Sequence, residues 1–366
     1  MTDPGADIRF MVLALSLGRR GLGNAWPNPA VGAVVVKDGV VVGRGWTQPG
    51  GRPHAEVEAL RRAGAAARGA TLYATLEPCS HHGKTPPCVD AILAAGIARV
   101  VSALEDPNPK IAGEGHAKLR AAGVAVTLGV CAEAARRAHA GHISRVRNGR
   151  PHVTLKLAVS ADGKAGLAGR KPAAITGEAA RERVQLMRAM NDAVVTGIGT
   201  VLADDPQLTC RLPGMEQRSP VRVVLDSELR LPPGSRLAAS AARTLDWTFA
   251  SEAAPQEREN ALTDLGVEVL RVPATNGRLD LTAVLRSLAG RGITRVMVEA
   301  GPILSAAFVD ADLVDEAALF QSPKALGEGI EALEGLPLTA LTQSPRLRLV
   351  TTERIGMDTL SMYERS

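Results

Sequence analysis

His54, Cys79 and Cys88 are far apart in this sequence, yet a chain that binds one metal ion with all three must fold so that they meet. The pattern reads His54-Ala55-Glu56, then twenty-one residues, then Pro78-Cys79, eight residues and Cys88. One imidazole and two thiolates suffice to hold a zinc ion and leave its fourth position open to water. Glu56 is not needed as a ligand, so it is free to move protons. The competing expectation is a closed structural site, with His81, His82 or Glu77 as fourth ligand. Glu56 would have no role there.

Composition narrows the rest. A chain of 366 residues is long for one domain and comfortable for two. With 45% apolar residues it can build real cores, and with 2% aromatics those cores rest on Ala, Val, Leu and Ile. So few rings argue against a single-strand binder that stacks bases. The net charge of +5 comes without a dense Lys/Arg stripe, which favours anionic small molecules over nucleic acid. Four cysteines in a chain this size are not a disulfide framework. Cys131 and Cys210 read as ordinary thiols. No signal peptide or membrane-length apolar run is legible, so the expectation is a cytoplasmic protein without a membrane partner.

Periodicity orders the first part as α-β-β-α-β-α-β-α-β. Helical spacing covers residues 8–19, and β-rich runs at 31–37 and 40–43 flank Asp38-Gly39, a two-residue hairpin signal. Helices follow at 54–63, 88–95 and 114–122, and strands at 71–75, 99–104 and 124–128. The result is a layered α/β domain with helices on both faces of one sheet. His54 and Cys88 then fall at the first turns of helices, where free N–H groups favour thiolate. A helix over 132–146 leads to Asn148-Gly149-Arg150-Pro151. The boundary is placed there, giving domains 1–147 and 151–366 with a 148–150 linker. A second α/β alternation follows. It includes a helix at 178–190, a Gly-rich loop after the strand at 193–196, and a surface excursion at 231–243.

The His-x-Glu and Pro-Cys order is that of zinc nucleobase deaminases, which more often carry two residues between the cysteines. The stretch Thr75-Leu-Glu-Pro-Cys-Ser-His-His-Gly-Lys-Thr-Pro-Pro-Cys88 closely resembles the deaminase half of the bifunctional deaminase–reductases of riboflavin biosynthesis. So do Pro27-Asn28-Pro29-Ala-Val-Gly32 and Asp106-Pro-Asn-Pro109. The resemblance implies a cytidine-deaminase-like three-layer domain. Its zinc would be held by His54, Cys79 and Cys88, with Glu56 catalytic and Asn28, His81 and Lys84 touching a phosphoribosylated pyrimidine. The family often has histidine where this chain has Thr47, and Trp46 or Gln48 is expected to compensate.

Residues 151–366 show no dinucleotide-binding G-x-G-x-x-G motif between a strand and a helix. Gly197-Ile198-Gly199 after a strand, and Glu299-Ala300-Gly301-Pro302 before a helix, are the places where a phosphate can approach backbone N–H groups. Leu155-Lys156-Leu157-Ala158, Ser160-Ala161-Asp162-Gly163-Lys164, Gly199-Thr200-Val201-Leu202-Ala203-Asp204-Asp205-Pro206 and Glu299-Ala300-Gly301-Pro302 resemble the reductase half of the same family. That implies a dihydrofolate-reductase-like domain using NADPH to convert the phosphoribosylamino group to ribitylamino. By the same resemblance, Ala158, Thr200, Asp204, Ser227, Gly301, Pro302, Ile303, Leu304, Ser305, Ala306 and Ala307 face NADPH. Arg188, Leu208, Arg211 and Glu299 face substrate, and Lys156 polarises the reacting group. Many relatives place a tryptophan against the cofactor where Ala174 stands, with serine at Pro172. The family tends to assemble, so a homo-oligomer is expected.

Overall fold

The structure is a computed structural model that describes residues 4–170 and 174–366. Pro172 therefore lies outside the described residues, and Ala174 is exposed. The chain divides into two compact units, Met1–Arg150 and Pro151–Ser366.

The first unit runs α1 (Pro4–Gly18), β1 (Gly32–Lys37), β2 (Val40–Trp46), α2 (Ala55–Ala63), β3 (Thr71–Ala74), α3 (Cys88–Ala94), β4 (Arg99–Ser102), α4 (Glu114–Ala121), β5 (Ala125–Leu128), α5 (Ala132–Ala138) and α6 (Ala140–Asn148). Its sheet has the order β2-β1-β3-β4-β5. β1 is antiparallel to both neighbours, while β3, β4 and β5 are parallel. Asp38 and Gly39 turn the hairpin with φ of 49° and 77°, the left-handed pair that matches strand twist.

Alternation along the strands divides two cores. Ala33, Val35, Leu72 and Val100 pack with residues of α2, α3 and α4 on one face. Val34, Val36, Tyr73 and Val101 pack with residues of α1 and α5 on the other. Fully burying each such Val or Leu side chain contributes roughly 1.5–3 kcal/mol, so both faces of the sheet are committed to helices. Two glycines of β2 set the seat of α2. A Cβ on Gly45 would lie 2.3 Å from Ala55 O, and one on Gly43 would lie 2.2 Å from Ala59 O. Only hydrogen at these positions lets the helix lie this close to the strand. The expected helix over 132–146 is broken at His139, which leaves helical ψ at 11°. Its buried imidazole bonds Thr75 Oγ1 at 3.0 Å, and that contact bends the chain between α5 and α6.

The second unit comprises β6 (His152–Val159), β7 (Lys164–Leu167), α7 (Glu178–Ala189), β8 (Ala193–Gly197), α8 (Ile198–Asp204), β9 (Val221–Leu225), α9 (Arg236–Ala239), β10 (Asp246–Ser251), α10 (Gln256–Thr263), β11 (Glu268–Val272), β12 (Ala274–Thr275), β13 (Arg278–Leu279), α11 (Leu281–Gly290), β14 (Arg295–Val298), α12 (Pro302–Asp310), β15 (Glu316–Gln321), β16 (Gly329–Glu331), α13 (Thr339–Thr342), β17 (Leu347–Ile355) and β18 (Asp358–Arg365). Nine strands form one sheet in the order β11-β10-β9-β8-β14-β6-β15-β18-β17. Pairing is parallel from β11 through β15, and β18 and β17 close the edge antiparallel.

Two expectations fail here. The Gly-rich segment after β8 is not a loop, because residues 198–204 wind into α8 with Ile198 and Val201 buried. The 231–243 stretch is not a surface excursion. Leu231, Leu237, Ala238 and Ala241 join the core of β8, β9 and β10, and Ser235 caps α9 by accepting from Ala238 N at 3.3 Å. Its Pro, Gly and Ser residues hide apolar positions too few to show a period. Among the described residues, no helix is long and apolar enough to cross a membrane.

Candidate active sites

The carboxyl side of β3 and the starts of α2 and α3 bring the three ligands of the first unit together. His54 is the N-cap of α2, and Cys88 is the first residue of α3. Cys79 lies in the loop after β3. His54 Nδ1 is 3.2 Å from Cys88 Sγ and 3.6 Å from Cys79 Sγ. Zinc bonds of ~2.3 Å to sulfur and ~2.0 Å to nitrogen at tetrahedral angles place N and S about 3.5 Å apart. The donor set and its spacing therefore fit zinc, and a zinc ion would be held by these three residues.

The thiols are prepared for a cation. Cys79 is pulled down to about 4, first by the hydrogen bond from the Cys88 thiol, against burial, and then by His54 and the Cys88 backbone N–H. That N–H donates to Cys79 Sγ at 3.2 Å. Cys88 is pushed up because its S–H serves Cys79 and because it is buried. The pair thus holds one proton that a cation displaces. His54 is raised by its hydrogen bond to Cys79 against burial, with the charges of Glu56 and Cys79 adding and that of Arg52 opposing. Glu56, 3% exposed, is pushed up to about 7 by burial, which outweighs the opposing pull of His54.

Glu77, an expected candidate for fourth ligand, is engaged elsewhere. Its carboxylate accepts from the backbone N–H groups of Asp106 (2.9 Å), Gly113 (2.9 Å), Gly115 (2.8 Å) and His116 (3.3 Å). It ties the Asp106-Pro-Asn-Pro109 loop and the start of α4 to the Pro78-Cys79 turn. Among the described residues the ligand cluster is His54, Cys79 and Cys88 alone, so neither Glu77, His81 nor His82 closes it.

Asn28 does reach the cluster. Its Nδ2 lies 3.3 Å from His54 Nε2 and donates to Gly51 O at 2.8 Å. His81 and Lys84 stand exposed on the loop between the cysteines. Thr47 is buried and structural, because Oγ1 accepts from Val31 N at 3.0 Å and donates to Pro29 O at 2.9 Å. Trp46 is held between the Arg20 and Arg62 guanidinium groups, 4.8 Å and 5.1 Å from its ring, and Gln48 Nε2 donates to Trp46 O.

In the second unit the candidate residues gather at the carboxyl ends of β6, β8 and β14, where open α/β sheets receive ligands. Glu299 follows β14, and Arg188 stands at the end of α7. They form a two-pronged pair, with Nε–Oε2 at 2.9 Å and Nη2–Oε1 at 2.7 Å, and Arg188 Nη1 donates to Thr209 O at 3.0 Å. Burial would raise the Glu299 carboxyl. The charges of Arg188 and Lys156 and the Arg188 hydrogen bonds outweigh it, so the net direction is down. Lys156 on β6 is pulled below the usual lysine range, first by burial, with Arg188 adding and Glu299 opposing. Arg211 is also lowered, by burial and then by Arg188.

Thr200 Oγ1 accepts from Gly301 N at 3.1 Å, joining the start of α8 to that of α12. Ala158 near the end of β6 and Ser227 just after β9 are half-buried, Asp204 is exposed at the end of α8, and Ile303 is exposed on the first turn of α12. Leu208, Ser305 and Ala306 are buried. The pairing of Arg188 with Glu299 was not legible in the sequence, since nothing local links residues so far apart in the chain.

A His-Cys-Cys cluster beside a spare buried glutamate, on a three-layer α/β sheet, defines a zinc-dependent deaminase. Here it is joined to a second unit with the site of a nucleotide-dependent reductase. Residues 5–104 match the cytidine and deoxycytidylate deaminase zinc-binding region, and residues 151–361 match the RibD C-terminal domain. The riboflavin biosynthesis protein RibD of Escherichia coli (strain K12) is 42% identical over 96% of this chain and 97% of its own. Among solved structures, Acinetobacter baumannii RibD is 38% identical with a TM-score of 0.87, covering 100% of both chains. A diaminohydroxyphosphoribosylaminopyrimidine deaminase/5-amino-6-(5-phosphoribosylamino)uracil reductase from Thermotoga maritima is 37% identical with a TM-score of 0.85, covering 99% of both. The chain belongs to the RibD family of bifunctional riboflavin-biosynthesis enzymes, with a zinc-dependent deaminase and an NADPH-dependent reductase on one polypeptide.

Proposed function

We propose that His54, Cys79 and Cys88 hold the deaminase zinc and that Glu56 carries the protons of the reaction. The observation behind this is a buried carboxyl, free of any ligand duty, beside three convergent donor atoms. Zinc, when bound, lowers the pKa of water to about 7. A Glu56 carboxyl titrating near about 7 can both take a proton and return it, first to the pyrimidine ring nitrogen and then to the departing amine. Asn28, fixed by Gly51, orients the ring beside His54. His81 and Lys84 meet the phosphoribosyl part.

In the second unit, NADPH supplies the hydride. Lys156 polarises the open-chain carbonyl or imine and releases a proton to it, which its lowered pKa favours. Glu299, held by Arg188, receives ribose hydroxyls, while Arg211 and the Leu208 backbone complete the substrate side. Ala158, Thr200, Asp204, Ser227 and the turn from Gly301 to Ala307 form the NADPH side, where N–H groups at the start of α12 suit a phosphate. We assign the enzyme to the cytoplasm, where such thiols stay reduced, and to a homo-oligomeric form.

The test follows ammonia release and then NADPH oxidation by the zinc-loaded enzyme given the phosphoribosylated diaminopyrimidine. Ammonia lost on chelation, and NADPH oxidation that requires the deaminated product, would support the assignment. Ammonia without NADPH oxidation would overturn the reductase half.

A further inference from the structure

We infer that Arg52 determines the deaminase's preference for a phosphorylated substrate: braced on the loop between Cys79 and Cys88, its guanidinium forms with Lys84 a cationic seat for the phosphate. The substrate's identity rests on the deaminase assignment above.

Arg52 lies two residues before the ligand His54, and its charge is felt there. Its side chain does not run out to solvent. It crosses to the loop between the cysteines, where Nη1 donates to Thr85 Oγ1. A Cβ on Gly83 would lie 3.4 Å from Nη2, so the glycine keeps that side of the guanidinium clear. Arg52 as a residue is half-buried, whereas residues 81–86 are exposed throughout. Arginine has five N–H donors in a rigid fork, and the Thr85 hydroxyl takes one. The others remain for an anion, and the fork matches two phosphate oxygens at once.

The electrostatics agree. Among the described residues neither Arg52 nor Lys84 is paired with a carboxylate. Asp106 is the acidic group whose charge and that of His81 act on each other. Two unneutralised cations, one of them bonded to Thr85, therefore meet on the loop that joins the ligands Cys79 and Cys88. A cation already held at its partner's position loses little side-chain freedom on binding.

Arg52→Gln removes the charge and, two atoms shorter, also gives up the Thr85 contact made by Nη1, so the comparison of a phosphorylated with a dephosphorylated substrate is what separates the phosphate role from loop bracing. The zinc-loaded full-length enzyme is assayed with the phosphoribosylated diaminopyrimidine and with its dephosphorylated ribosyl analogue. Inorganic phosphate serves as a competing anion. The expected result is a rise in KM of roughly 10- to 100-fold for the phosphorylated substrate only, matching loss of one charge-assisted contact. Zinc content and kcat stay near wild type, inhibition by phosphate weakens, and Arg52→Lys recovers part of the KM. An equal loss with both substrates would reduce Arg52 to a brace for the loop and overturn the inference, as would an unchanged KM. If Arg52→Gln loses zinc, Arg52→Lys decides: a KM equally raised for both substrates overturns the inference. Wild-type enzyme that deaminates neither substrate would instead refute the deaminase assignment.

Discussion

Replacing Arg188 with methionine tests whether the Arg188–Glu299 pair is a structural device as well as a substrate contact. The change keeps much of the apolar stem but removes three hydrogen bonds, at 2.7, 2.9 and 3.0 Å. Exposed ion pairs contribute about 0.2–1 kcal/mol. Removing one partner of a fully buried pair costs about 3–5 kcal/mol, because the other charge is stranded. Here the side chains are 10% and 18% exposed, so some water reaches the pair. The expected cost for Arg188→Met is therefore about 2–4 kcal/mol. Glu299 should meet part of it by taking up a proton, since burial raises its carboxyl once Arg188 no longer holds it down. For a unit of this size, each kcal/mol lowers Tm by about 2–4 °C, which gives a fall of roughly 4–16 °C. Calorimetry would measure it, with deaminase activity reporting that the first unit is intact. Arg188→Met/Glu299→Gln should be more stable than Arg188→Met alone, since no charge is stranded. A fall of less than about 2 °C, or a double variant no better than the single, would refute the reasoning.

Three further outcomes are expected. Glu56→Gln should keep zinc yet slow deamination by about 10²- to 10⁴-fold, whereas Cys79→Ser should lose both metal and activity; zinc analysis beside ammonia release separates them. Lys156→Met should lower NADPH oxidation and leave deamination unchanged; equal loss of both in folded protein would count against independent sites. Asp7→Asn should destabilise the first unit at neutral pH but not in acid. The Asp7 carboxyl lies below its usual range, first because Arg99 donates to it at 2.7 and 2.9 Å, against burial. A depressed folded-state pKa gives stability that is present above the unfolded pKa of about 3.9 and lost as pH falls through the folded value. Urea midpoints of both proteins against pH should therefore converge at low pH, and a constant gap would argue otherwise.

What was legible in the sequence was what spacing and local chemistry dictate. His54, Glu56, Cys79 and Cys88 were readable because a metal ion demands a small set of donors. Asp38-Gly39 was readable because few dipeptides adopt two positive φ angles. The β-rich runs of the first unit were readable because a sheet covered on both faces needs strands that are apolar on both sides. Tertiary contact decided the rest. Glu77 looked like a ligand and proved to be a backbone anchor, since its four N–H partners come from residues 106–116. His139 bends a helix because Thr75 waits across the core. The 231–243 segment is buried by strands that lie elsewhere in the sequence. Arg188 meets Glu299, and Arg52 meets Thr85, only because the chain returns on itself. A metal's needs are written in residue type and order, so the sequence alone determined the chemistry of the first site. Burial and charge pairing are properties of groups brought close in space, and only the fold decides which groups those are.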